Sequence, residues 1–193
     1  MLPRLKTAAL VIALAATAGL AAFAGTRDDA SMPASQAGTA APDFTGIDRW
    51  HNSAPLTLGQ LRGKVVLVDF WTYSCINCIH TIPYVKEWDR KYRDQGLVVV
   101  GVHTPEYPFE RDAGNVADAI RRFGIRYPVA QDNRYDTWRA YGNQYWPALY
   151  LIDASGKVVY TRYGEGAYDK TEAAIRDALA QAGDGTKGAT RTQ

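Results

Sequence analysis

Runs of apolar residues alternate in length and spacing along this chain, and the alternation predicts the elements. Residues 65–70 form an apolar stretch broken only by Asp69, the pattern of a strand buried on both faces. Residues 78–92 carry Ile79, Ile82, Val85 and Trp88 at intervals of three, which predicts a helix stopped by Gly96. Residues 97–102 are apolar and mostly β-branched, a second strand. A helix is expected over 115–123, ended by Gly124, then a short strand within 125–130. A short helix over 134–141 stops at Gly142. Residues 148–153 and 157–163 read as strands joined by the turn Ala154-Ser155-Gly156, and 168–182 as a last amphipathic helix. This order predicts an α/β fold: a central mixed sheet with a parallel part, an antiparallel hairpin at its edge, and helices on both faces.

The flanks read differently. Arg4 and Lys6 precede an uncharged run, 7–26, and Ala22-Phe23-Ala24 supplies a small-x-small cleavage pattern. Residues 1–24 are therefore expected to be a signal peptide or a retained membrane anchor, since a run of this length can just span a bilayer core of ~30 Å. Either places the domain outside the cytoplasmic membrane, in the periplasm or its extracytoplasmic equivalent. Residues 25–41, rich in Ala, Gly, Ser, Thr and Pro, read as a flexible linker. Residues 183–193 read as a loose tail, which leaves 42–182 as the domain.

Charge excludes one class of partner. The chain has 22 Lys+Arg against 20 Asp+Glu, and loss of Arg4 and Lys6 with residues 1–24 brings the balance to zero. Nothing in it makes an electrostatic footprint for nucleic acid. Cysteine usage is more informative. There are two, Cys75 and Cys78, in one C-x-x-C. So small a loop restrains the unfolded chain little, so the pair is a poor structural staple and points to chemistry.

In residues 65–83, V-V-L-V-D-F-W-T-Y-S-C-I-N-C-I-H-T-I-P, the first cysteine follows a buried strand and opens a helix. Unpaired N–H groups and the positive end of the helix dipole favour a thiolate there. Cys75 is the candidate nucleophile, and Cys78, one turn further in, the candidate resolving thiol. Other chemistries of a cysteine pair fit less well. Zinc would need two of His51, His80 and His103 beside the cysteines, and the usual H-x₃₋₅-H spacing is missing. Haem attachment needs C-x-x-C-H, and position 79 is Ile. A peroxidase pattern of the form P-x-x-x-T-x-x-C finds Thr72 but has Val68 in place of its proline. No metal or organic cofactor is expected.

The segment V-D-F-W…C-x-x-C-x-x-x-x-P resembles the active site of the thioredoxin-like family. Residues 101–106 (G-V-H-T-P-E), 127–133 (Y-P-V-A-Q-D-N) and 141–148 (Y-G-N-Q-Y-W-P-A) resemble its exported TlpA/DipZ-type branch of redoxins. The likeness extends over nearly all of 42–182. It implies a thioredoxin fold with an N-terminal extension, about 43–64, and an insertion, about 104–133, before a cis-proline loop. It implies an acid/base carboxylate at Asp69, a tryptophan beside the site at Trp71, a helix-kinking Pro83, and a substrate-holding cis-Pro147 preceded by Trp146. The family's C-G-P-C is C-I-N-C here, and no Lys stands in 97–102 to serve Asp69. Asp69 thus joins the cysteines as a candidate catalytic residue, and Trp71, Trp146 and Pro147 are candidate substrate-binding residues; His103, just past a strand end, is a further candidate. The activity implied is thiol–disulfide exchange with protein thiols or disulfides, in the reducing direction, for instance on apocytochrome cysteines. A separate membrane electron donor and a monomeric state are expected. The alternatives are a redoxin-type thiol peroxidase and a non-catalytic binding module using the Pro147 groove.

Overall fold

A computed structural model describes residues 38–189 of the chain. The expected signal or anchor, 1–24, and most of the linker lie outside the described residues. Among those described, no helix is long and apolar enough to cross a membrane.

Six strands form one mixed sheet: β1 (Arg49–His51), β2 (Val65–Trp71), β3 (Leu97–His103), β4 (Val129–Gln131), β5 (Ala148–Ile152) and β6 (Val158–Tyr163), in the order β1-β4-β3-β2-β5-β6. The pairs β2–β3 and β3–β4 are parallel, while β2–β5, β5–β6 and β1–β4 are antiparallel. The central mixed sheet, the parallel part and the β5–β6 hairpin are as the pattern predicts. Strand β2 sits at the centre, and all seven of its residues are buried. That explains its unbroken apolar run: side chains on both faces leave water.

Alternation along β2 divides the core in two. Val65, Leu67 and Trp71 point to one face with Leu97, Val99, Leu149 and Leu151. There they meet α1 (Ile76–Tyr92), α2 (Ala113–Phe123) and α4 (Tyr168–Ala189) through Ile82, Val85, Trp88, Val116, Ile120 and Ile175. Val66, Val68 and Phe70 point to the other face and pack on Trp138 and Tyr141, from α3 (Asp136–Ala140) and its end. The expected N-terminal extension covers this second face too, through Phe44, Ile47, Trp50, Leu56, Leu58 and Leu61. Leu58 is buried and the other five partly so; full burial of such a side chain is worth about 1.5–3 kcal/mol, so each of the five contributes a part of that and the extension is packed onto the core.

Three boundaries differ from expectation. Gly38 and Ala41 bond to Val158 and Gly156, so the last linker residues join the β6 edge. Helix α4 runs to Ala189, into the segment expected to be a loose tail. Interior glycines cost a helix about 1 kcal/mol each, and a helix already propagating through an alanine-rich run can absorb that. The expected 125–130 strand is only Val129–Gln131, because Asn52 Nδ2 takes the carbonyls of Ile125 and Tyr127 out of any ladder.

Candidate active site

Strand β2 ends at Trp71, a turn of three residues follows, and Cys75 is the N-cap of α1. Its Sγ accepts from the backbone N–H of Cys78 at 3.3 Å, filling the place a Ser or Asp oxygen takes in an ordinary cap. Cys75 is half-buried, Cys78 is 1% exposed, and both are free thiols. The Cys78 thiol donating to Cys75, aided by the N–H groups of Cys78 and Asn77, outweighs partial burial and the charge of Glu106. It brings the Cys75 thiol down from 9.0 to about 7. Burial, its bond to Cys75 and the charge of Cys75 push the Cys78 thiol far up. One sulfur is thus an accessible thiolate near neutrality, and the other a protonated thiol held behind it. That polarity can attack a disulfide from solvent and close an internal one afterwards.

Asp69 lies on the same sheet face, 1% exposed, and its Oδ1 has no hydrogen-bond partner among the described residues. Burial, followed by the charge of Cys75, raises its carboxyl from 3.8 to about 7. A carboxyl so placed can take and return a proton at neutral pH.

Trp146–Pro147 is a cis peptide bond, as the resemblance implies. Ala148 pairs with Phe70, so Pro147 lies level with Trp71 at the sheet end that carries Cys75. The Trp146 indole donates to the carbonyl of Thr104 at 3.0 Å and lies against Trp138, ring centroids 4.1 Å apart. It is half-buried, anchored by that hydrogen bond and packed against the cores on both faces of the sheet.

Trp71 departs from expectation. It is 0% exposed and packs edge-on to His103 and Phe123. The odd-numbered β2 residues face α1, so its ring fills the core and offers no surface to a substrate. The three histidines sit apart in their partners. His51 meets Gln131, His80 pairs with Glu165 at the surface, and His103 is buried beside Thr72 and stacked on Tyr73. Burial holds the His103 imidazole down to about 4, so it is neutral.

Glu110, absent from the expectations, is 0% exposed. It accepts from the Ser74 hydroxyl at 2.5 Å, the Ser74 N–H at 3.3 Å, and the N–H groups of Glu106 and Tyr107 at 2.6 and 2.9 Å. Burial pushes its carboxyl up, but bonds from Ser74, Thr72 and the two amides prevail and leave it lowered. It binds the turn before Cys75 to the 3₁₀ turn Pro108–Arg111, which presents exposed, stacked Tyr107 and Phe109 rings. A Pro at the start of that turn and a Glu completing its capping box are the sequence signals that could have found it.

The redoxin family's sequence profile matches residues 36–179. The protein DipZ of Mycobacterium tuberculosis is 54% identical over 150 residues, 76% of this chain and 22% of DipZ. The thiol-disulfide oxidoreductase YkuV of Bacillus subtilis is 33% identical over 141 residues, 72% of this chain and 94% of YkuV. Among solved structures, a thioredoxin-like protein in its oxidised form superposes with a TM-score of 0.69 at 31% identity, covering 75% of this chain and 97% of that one. The thioredoxin-like fold expected from the sequence is the fold of these neighbours.

Proposed function

The chain belongs to the redoxin family, and on that premise we propose that it is an exported thiol–disulfide oxidoreductase that reduces protein disulfides through Cys75 and Cys78. One observation carries the reading. The accessible sulfur caps α1 with its thiol lowered to about 7, while its partner, one turn behind, is buried. The Cys75 thiolate attacks a substrate disulfide, forms a mixed disulfide and releases one substrate thiolate. Asp69 takes the Cys78 proton, Cys78 attacks Cys75, and the second substrate thiolate leaves. The exposed part of Trp146 and the backbone at Pro147 line the approach and hold the substrate chain. The matched stretch spans only 22% of DipZ. Export rests on Arg4, Lys6 and the uncharged run 7–26. The substrates on this reading are exported protein thiols, apocytochrome cysteines among them. A separate membrane protein resupplies electrons, and the domain acts as a monomer.

The reduction potential of the Cys75–Cys78 couple, read against glutathione buffers, tests the direction. A value of about −270 mV supports a reductant, and one of about −120 mV makes the protein an oxidant. The absence of any reversible couple removes the oxidoreductase reading altogether.

A further inference from the structure

Two large rings stand in water beside the reactive turn. Tyr107 is 49% exposed and Phe109 is 55% exposed. They stack on each other, with ring centroids 5.6 Å apart and planes 3° from parallel. A single apolar side chain at a surface is ordinary, but a stacked and uncovered pair makes a small apolar face. Ile76, the residue after Cys75, is exposed as well.

The fold fixes this pair in place. The Phe109 carbonyl accepts from the Tyr73 hydroxyl at 3.0 Å and from Asn115 Nδ2, on α2, at 3.1 Å. Pro108 stiffens the backbone between the two rings. The Phe109 ring lies 6.2 Å from that of Tyr73, which in turn stacks on buried His103. A face fixed in advance loses little freedom when another group settles on it. Its distance from the reactive sulfur is bounded too. Ser74 adjoins Cys75, Glu110 adjoins Phe109, and their side chains are hydrogen-bonded. The ring pair therefore lies within about five residues of extended chain from Cys75.

We propose that Tyr107 and Phe109 form a recognition platform for an aromatic or large aliphatic side chain of an extended polypeptide whose disulfide Cys75 opens. The proposal rests on the exchange reaction above and names its substrate class. Continuity with the nucleophile selects the occupant, because what settles on the rings also presents a disulfide to Cys75. An unfolded chain keeps apolar side chains exposed within a few residues of its cysteines, whereas a folded one buries them. A disulfide of two-carbon thiols is too short to touch both the sulfur and the rings. The sheet order sets the direction of the chain. Strands β3 and β5 flank β2, so the platform, after β3, and Trp146–Pro147, before β5, stand on opposite sides of the turn that carries Cys75. The substrate backbone crosses the sulfur between them, held by Pro147 on one side and by its apolar side chain on the other.

Two unstructured peptides test this, each closed by one disulfide and differing only in carrying Phe or Ser within about five residues of a cysteine. The second-order rate of their reduction by the reduced full chain is measured for the parent and for the double variant Tyr107→Ala, Phe109→Ala. The proposal expects the parent to reduce the Phe peptide at least about fivefold faster than the Ser peptide, and the variant to keep a preference below about twofold. A substitution that only disturbs Cys75 slows both peptides alike, so an undiminished preference in the folded variant overturns the platform. Equal rates for the two peptides in the parent overturn it as well. If the double variant does not fold, Phe109→Ala alone carries the same expectation and the same refutation. A parent that sediments as a dimer and is made monomeric by the substitutions overturns the platform too, since the rings then cover a second copy of the chain. A parent that reduces neither peptide removes the proposed function and the platform with it.

Discussion

Ser74 donates its hydroxyl to Glu110 at 2.5 Å, so the residue immediately before Cys75 is tied to a carboxylate from the segment that follows β3. Glu110 also holds the Ser74, Glu106 and Tyr107 amides. The approach to the reactive sulfur and the Tyr107–Phe109 ring pair are thereby one rigid unit.

Glu110→Ala should lose about 2–4 kcal/mol of stability, because it removes one buried, charged acceptor shared by the Ser74 hydroxyl and the N–H groups of Ser74, Glu106 and Tyr107. Urea unfolding of parent and variant measures this. A loss below about 1 kcal/mol would mean that water replaces the carboxylate without cost. Glu110 is lowered in the folded protein. Its contribution is therefore full above the unfolded carboxylate value and disappears as pH falls through the folded one.

Asp69 predicts the opposite pH dependence. Its folded carboxyl is raised from 3.8 to about 7. The folded state keeps a proton that the unfolded chain has lost, so stability falls as pH rises between those values and stays lower above them. That rise corresponds to at most about 4 kcal/mol. Asp69→Asn should therefore gain stability over the parent at about pH 8 and little at about pH 4, while slowing resolution by Cys78. Equal gains at both pH values would contradict a proton-holding Asp69.

The two sulfurs should differ in reactivity. Alkylation of the reduced protein should modify Cys75 first, with a rate that rises through a midpoint at about 7. Cys78 should stay unmodified over the same range, being 1% exposed with its thiol raised. Because the Cys75 thiol is lowered on folding, it stabilises the reduced form fully above its unfolded value of 9.0. That contribution is lost as pH falls through about 7. Peptide mapping after pulsed alkylation separates the sites, and comparable labelling of both would contradict the arrangement.

Most of the fold was legible because β2, α1, β3 and the β5–β6 hairpin bury long apolar runs. The cysteine pair was legible because it opens a helix straight after such a run. Strand β1 was not, since Arg-Trp-His is three residues long and half-exposed, and its pairing with β4 is what makes it a strand. Glu110 was hidden for a similar reason: a carboxylate in a loop reads as solvated, and only the tertiary turn against Ser74 buries it. Trp71 was misplaced because family position says which strand it occupies but not how much the neighbouring helix covers it. The covering of the second face by 44–61 was equally invisible, because its apolar residues are spaced without helical or strand period.

The central claim is that Cys75 attacks and Cys78 resolves. Cys78→Ser, mixed with a disulfide-bonded protein, tests it by intact-mass measurement of the covalent product. The account predicts a stable one-to-one adduct through Cys75 that dithiothreitol dissolves, and no adduct with Cys75→Ser. If Cys78→Ser forms none while remaining folded, or if Cys75→Ser forms one instead, the assignment of the two sulfurs is wrong.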